Sequence, residues 1–179
     1  MPPIKVTHHL YLALGANLGD RLEQLQWGRA RCSERIFSGE VTSAPIYETT
    51  PINCPPGSPS FYNTVIRGQT SKSPKEILAL TQSFEIKAGR KKVDLPPNSP
   101  RPLDLDLLLL GDICWEDDLL VLPHPRLQER LFVLQPLSDL CPTLPLPPSF
   151  ERTVKAQLDF ILAHESPPLD TPTKLLDIW

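Results

Sequence analysis

Short apolar and β-branched runs alternate with stretches of good helix formers in the order β-α-β-β-α-β, and 22 prolines cluster at the boundaries between them. This order predicts an α+β fold: a ferredoxin-like sandwich with an antiparallel sheet and extra C-terminal elements. With 179 residues, 40% of them hydrophobic and 22% charged, the chain can bury one core without disulfide staples. Residues 1–165 are therefore read as one domain and residues 166–179 as an extended tail.

The run Leu10-Tyr-Leu-Ala-Leu14 predicts a buried strand that ends where Gly15-Ala-Asn-Leu-Gly19 brings in loop chemistry. Asp20 is placed to cap a helix from Arg21 to near Ile36, with Leu22, Leu25 and Cys32 on its apolar face. Residues 41–48 and 61–67 read as the second and third strands on β-branched and aromatic content. The proline-rich loop between them, residues 50–60, is long for a hairpin, and loops of that length in compact domains are often functional. Ser71 or Ser73 starts a second helix with Ile77, Leu78, Leu80, Thr81 and Phe84 inward and Gly89 as its stop. After an irregular stretch at 90–100 comes a strand at 103–110. Gly111-Asp112 and the short run 113–115 then read as a hairpin. Beyond Pro123-His-Pro125 the pattern gives two short helices, a proline-dense break at 142–148 and a last helix at 153–163.

The net charge of −3 and pI near 5.8 argue against a nucleic-acid partner, whose affinity comes mainly from phosphate neutralisation by Lys and Arg. Cys32, Cys54, Cys114 and Cys141 are scattered, with no C-x-x-C pair and no histidine cluster, and read as free thiols rather than zinc ligands. The first ten residues carry Lys5, two histidines and two prolines instead of an apolar run, so no secretory signal is read there. No stretch is long enough to span a bilayer. The expectation is a cytoplasmic monomer with no membrane partner.

Side chains two apart on a strand share a face, so Asp104 and Asp106 project together while Leu103, Leu105 and Leu107 turn the other way. Carboxylates that close repel unless a cation lies between them, and magnesium, which keeps open positions for water and phosphate, suits such a pair. Arg101, Arg90, Lys91 and Lys92 surround the place where the phosphates of a nucleotide would lie, and arginine offers phosphate a bidentate fork. On residues alone, D-x-D also fits the solvated face of an edge strand. A magnesium-dependent nucleotidyltransferase or phosphohydrolase and a non-catalytic binding module stay open as alternatives.

Arg101-Pro-Leu-Asp-Leu-Asp-Leu-Leu108 resembles the signature of the 6-hydroxymethyl-7,8-dihydropterin pyrophosphokinase family. Residues 11–19, Tyr47-Glu-Thr-Thr-Pro-Ile52, Phe61-Tyr-Asn63, residues 82–85 with Gly89-Arg90, and residues 123–132 follow in family order. The resemblance covers roughly residues 10–142. It implies a ferredoxin-like fold and transfer of a diphosphate from ATP to the pterin hydroxymethyl group, releasing AMP. By the same resemblance Asp104 and Asp106 hold two magnesium ions, while Arg90 and Arg101 act on the phosphates as catalytic residues. Gln82, Glu85, Lys92, Leu107, His124 and Arg130 complete the ATP site. Gly15, with Ala16 beside it, Thr49, Ile52, Phe61, Asn63 and Phe132 take the pterin. The family commonly has a tryptophan where this chain has Asn98-Ser99-Pro100.

Overall fold

The computed structural model describes residues 6–90, 96, 98–147, 151–164 and 171–179. Among the described residues, four helices cover the two faces of an antiparallel sheet whose strands run in the order β5-β1-β4-β3-β8, with β2 pairing β4 beside this path. β1 (His8–Ala16) is central, held by β4 (Phe61–Thr70) on one side and β5 (Asp104–Leu110) on the other. Together with the α1 and α2 crossovers this is the ferredoxin-like arrangement that the element order predicts.

Both crossover helices start at the caps read from the sequence. In α1 (Arg21–Arg35) the Asp20 carboxylate accepts from Glu23 N at 3.0 Å. In α2 (Pro74–Lys87) Ser73 and Glu76 form a reciprocal capping box, with proline in the first turn where it costs no backbone bond. Gly89, at φ +103°, takes the left-handed turn that ends α2. These two helices bury Leu10, Leu12 and Leu14 of β1 and Leu105 and Leu107 of β5 against Leu25, Ile77 and Phe84. On the opposite face, α3 (Leu131–Leu140) and α4 (Val154–His164) cover Tyr11, Val65, Leu108 and Leu109. A register shift in β5 puts both Leu108 and Leu109 on this second face.

Three sequence expectations are corrected. The strand expected at 41–48 is two strands, β2 (Ser38–Ser43) and β3 (Ile46–Thr49), because Pro45 has no N–H for the ladder; both halves still pair with β4. The hairpin expected after β5 does not form. Gly111, at φ +52°, returns its N–H to His9 O at 2.7 Å, and Trp115–Glu116 (β6) pairs instead with Val121–Leu122 (β7). Of the two short helices expected after Pro125, only α3 forms, and residues 125–129 are turns. Within the expected tail, Thr173–Leu176 is a strand, β8, on the outer edge of β3, and Trp179 Nε1 donates to Ala44 O at 2.8 Å.

Candidate active site

At one end of the sheet, on the α3–α4 face, the helices leave the strands uncovered. Register places Asp104 beside Gly15, Gly15 beside Asn63, and Thr49 beside Phe61. These strand ends floor a cavity of about 710 Å³, within the usual range for small-molecule sites. The loop before β4, the chain around Arg101 and the segment from His124 to Phe132 wall it.

One end of the cavity is ionic. Asp104, with 17% of its side chain exposed, accepts from Arg90 Nη1 at 2.9 Å and from Arg101 Nη2 at 2.6 Å. Asp106 accepts from Arg130 Nη1 at 3.3 Å. Glu85 is buried behind them, 2.7 Å from Arg90 and accepting the N–H of Leu105 at 2.9 Å. Burial, reinforced by Asp104, pushes the Glu85 carboxyl up to about 7. Asp106 is raised for the same two reasons: it opens onto the cavity, yet lies deep in surrounding protein. His124 is pushed down to about 4 by burial and then by Arg130 and Arg126, so it is neutral at physiological pH.

The other end is flat and amphipathic. Asn63 donates from Nδ2 to Thr49 Oγ1 at 2.7 Å, which orients its amide. Phe61 and Phe132 lie under cations, with the Arg101 guanidinium 5.2 Å from one ring and that of Arg130 5.3 Å from the other. Gly15 separates the two ends. A Cβ there would stand 2.8 Å from Asn63 Oδ1 and 3.8 Å from Asp104 Cβ, so the missing side chain keeps the floor between them open.

The donor set suits magnesium in one respect that the structure itself supplies: two hard carboxylates on one strand face, with no cluster of three metal-binding side chains among the described residues. Such a pair can hold magnesium only with water and phosphate completing the shell. The buried Arg101 Nε has no hydrogen-bond partner among the described residues, which leaves a donor for an anion.

Of the residues singled out from the sequence, Arg90, Arg101, Asp104, Asp106, His124, Arg130, Thr49, Ile52, Phe61, Asn63 and Phe132 line this one cavity. Glu85 and Gly15 lie directly behind it. Gln82 is exposed on α2, and the Leu107 side chain is turned into the α1–α2 core, 3% exposed, as strand alternation requires. Ala16 also packs into that core. Lys91 and Lys92 fall outside the described residues. Residues not singled out also line the cavity, among them Cys54, Asn98, Arg126 and Glu129. Arg126 follows the Pro-His-Pro run, which was the available signal. Asn17, 2% exposed, ties two walls together: its Oδ1 accepts from Arg101 N at 2.7 Å and its Nδ2 donates to Pro59 O at 3.2 Å.

The chain is similar to known proteins in sequence and in fold. The Bacillus subtilis 2-amino-4-hydroxy-6-hydroxymethyldihydropteridine pyrophosphokinase is 38% identical over 73% of this chain and 77% of its own length. The Schizosaccharomyces pombe folic acid synthesis protein fol1 is 40% identical over 75% of this chain; this chain spans 18% of that longer protein. The crystal structure of wild-type Plasmodium falciparum HPPK-DHPS with SDX-DHP superimposes with a TM-score of 0.68 over 94% of this chain and 48% of that one; at 13% identity this speaks to the fold alone. The family model for 7,8-dihydro-6-hydroxymethylpterin-pyrophosphokinase (HPPK) matches residues 11–142, the stretch that contains every residue lining the cavity, and the chain belongs to that family.

Proposed function

We propose that this chain is an ATP-dependent diphosphotransferase that moves the diphosphate of ATP onto the hydroxymethyl group of 6-hydroxymethyl-7,8-dihydropterin, releasing AMP, as a step of folate biosynthesis. One observation carries the reading. A single cavity joins an arginine–carboxylate end to an amide–aromatic end across the bare backbone of Gly15. The first suits polyphosphate and the second a flat heterocycle.

At the ionic end, Arg90 and Arg101 are the catalytic cations. Phosphate oxygens offer them bidentate partners, so on nucleotide binding they turn from Asp104 to the phosphates and stabilise charge spread over the transferring group. Asp104 and Asp106 would hold two magnesium ions, which when bound would neutralise charge on the phosphate oxygens. Glu85 fixes Arg90 from behind, and Arg130 and neutral His124 form the far wall of the ATP site. At the other end, the Asn63 amide both donates to and accepts from the pterin edge while Phe61 and Phe132 sandwich the ring; Thr49, Ile52 and Gly15 shape the pocket.

The reaction is a direct in-line displacement. The pterin hydroxymethyl oxygen bonds to the β-phosphorus, the bond from that phosphorus to the oxygen bridging to the α-phosphate breaks, and AMP leaves with that oxygen while the hydroxyl proton is released to solvent. Orientation supplies much of the acceleration, since both partners sit in one cavity and no covalent enzyme intermediate is needed. Four free cysteines fit the reducing cytoplasm. Among the described residues no helix is long and apolar enough to cross a membrane, and the reading includes no nucleic-acid partner.

A crystal structure with a nonhydrolysable ATP analogue, magnesium and the pterin tests the assignment. Phosphates between Arg90, Arg101 and two metals on Asp104 and Asp106, with the pterin edge on Asn63, are expected. A pterin bound away from Asn63, or phosphates away from the aspartates, would contradict it.

A further inference from the structure

The loop at residues 50–60 gives Ile52 and Cys54 to the cavity and has no regular structure of its own. Its two ends leave β3 at Thr49 and enter β4 at Phe61, the paired residues that edge the pterin side. Both ends converge on a side chain outside the cavity. Arg21, the first residue of α1, donates from Nη1 to Glu48 Oε1 at 2.9 Å, to Ser60 Oγ at 2.8 Å and to the Ser60 carbonyl at 2.9 Å. Its guanidinium also stacks 3.7 Å from the centroid of the Tyr62 ring. Ser60 Oγ donates onward to Glu48, closing the cluster.

An isolated ion pair at a surface would contribute little. This one differs in geometry. One nitrogen serves three acceptors on both stems of the loop, and only 25% of the Arg21 side chain is exposed. Glu48 is held below the usual carboxylate range, first by the Ser60 hydroxyl and then by Arg21, so the cluster stays ionised at neutral pH. Glu48 and Ser60 each immediately precede a residue that lines the cavity, Thr49 and Phe61, and Thr49 in turn orients Asn63. A loose stem would therefore be felt at the heterocycle and not at the aspartates, which stand on β5 across Gly15.

We infer that Arg21 is a positioning residue for the pterin end of the site, pinning both stems of the 50–60 loop so that Thr49, Asn63 and Phe61 are set before substrate arrives. The inference rests on the pyrophosphokinase reading and extends it to a residue that touches neither substrate. Preorganised loops bind more tightly because the ordering cost is met before binding.

The test compares wild type with Arg21→Met and Arg21→Lys. The readouts are KM for pterin and for ATP, kcat, and backbone hydrogen exchange across residues 48–61. Arg21→Met is expected to raise the pterin KM about tenfold, leaving the ATP KM within about twofold. Exchange should quicken at 50–60 but not within α1. Arg21→Lys, which keeps the charge and can still donate to Glu48, is expected to recover most of the loss. An unchanged pterin KM overturns the inference. So does a rise in both KM values together with faster exchange throughout, which marks a merely structural role. If the wild-type chain forms no AMP from ATP and pterin, the pyrophosphokinase reading fails, and the exchange data alone then decide whether Arg21 pins the loop.

Discussion

Replacing Gly15 with alanine separates the two halves of the site. The new methyl would stand 2.8 Å from Asn63 Oδ1, where ordinary contact begins at 3.4 Å, so the amide must retreat by roughly half an ångström. Its other two near contacts, Asp104 Cβ and Phe61 Cδ1, are both at 3.8 Å and undisturbed. The retreat strains the 2.7 Å bond from Asn63 to Thr49, costing about 1 kcal/mol, and misaligns the amide toward the heterocycle by about the same again. The misalignment predicts a pterin complex about fivefold weaker, while the strained bond, present with or without substrate, costs folding stability. Gly15 lies outside the left-handed region, so alanine accepts the strand backbone and folding stability should fall by only the roughly 1 kcal/mol of the strained bond. Isothermal titration with pterin, and separately with a nonhydrolysable ATP analogue, reads the two ends independently. Pterin affinity within about threefold of wild type would refute the assignment of Gly15 and Asn63 to one subsite; so would an equal loss for the nucleotide.

Asp104→Ala and Asp106→Ala are each expected to lower kcat by about a thousandfold or more while circular dichroism and melting show a preserved fold; substantial turnover in both would overturn the metal assignment. Asn63→Ala should weaken pterin binding by roughly ten- to a hundredfold and spare the nucleotide, measured by the same titrations. His124 gives a pH signature. Its folded pKa is pushed down to about 4 from 6.5, so the unfolded chain takes up a proton that the folded chain refuses between those values. The stability from keeping it neutral is complete above pH 6.5 and is lost as pH falls toward 4. In urea titrations across that window, the stability difference between wild type and His124→Gln should shrink by about 1–2 kcal/mol once partial exposure is discounted, and a pH-independent difference would contradict the burial argument.

What the sequence disclosed follows from the range of the interactions involved. The caps at Asp20 and Ser73 and the alternation that turns Asp104 and Asp106 away from Leu105 are local, and they were readable. The break at Pro45 was local too, but both half-strands keep pairing with β4, so β-rich composition hid it. β8 was not readable as a strand because its partner, β3, is distant in sequence and the strand is exposed throughout. In the site, the residue types at Arg90 and Arg101 pointed to phosphate, and Arg101 meets Asp104 locally, three residues on, whereas the approach of Arg90 to Asp104 needed α2 packed on β5, where Glu85 accepts the N–H of Leu105. The Asn17 bridge and the Arg21 cluster join segments that only the folded chain brings together.

The central claim concerns which phosphorus is attacked, and tracing label decides it. ATP labelled at both the β- and γ-phosphorus is incubated with the chain, magnesium and 6-hydroxymethyl-7,8-dihydropterin, and the products are separated. Both labels on the pterin in equal amount, with unlabelled AMP formed in step, is the predicted result. ADP with a singly phosphorylated pterin, free pyrophosphate, or phosphate release that does not depend on the pterin would contradict it.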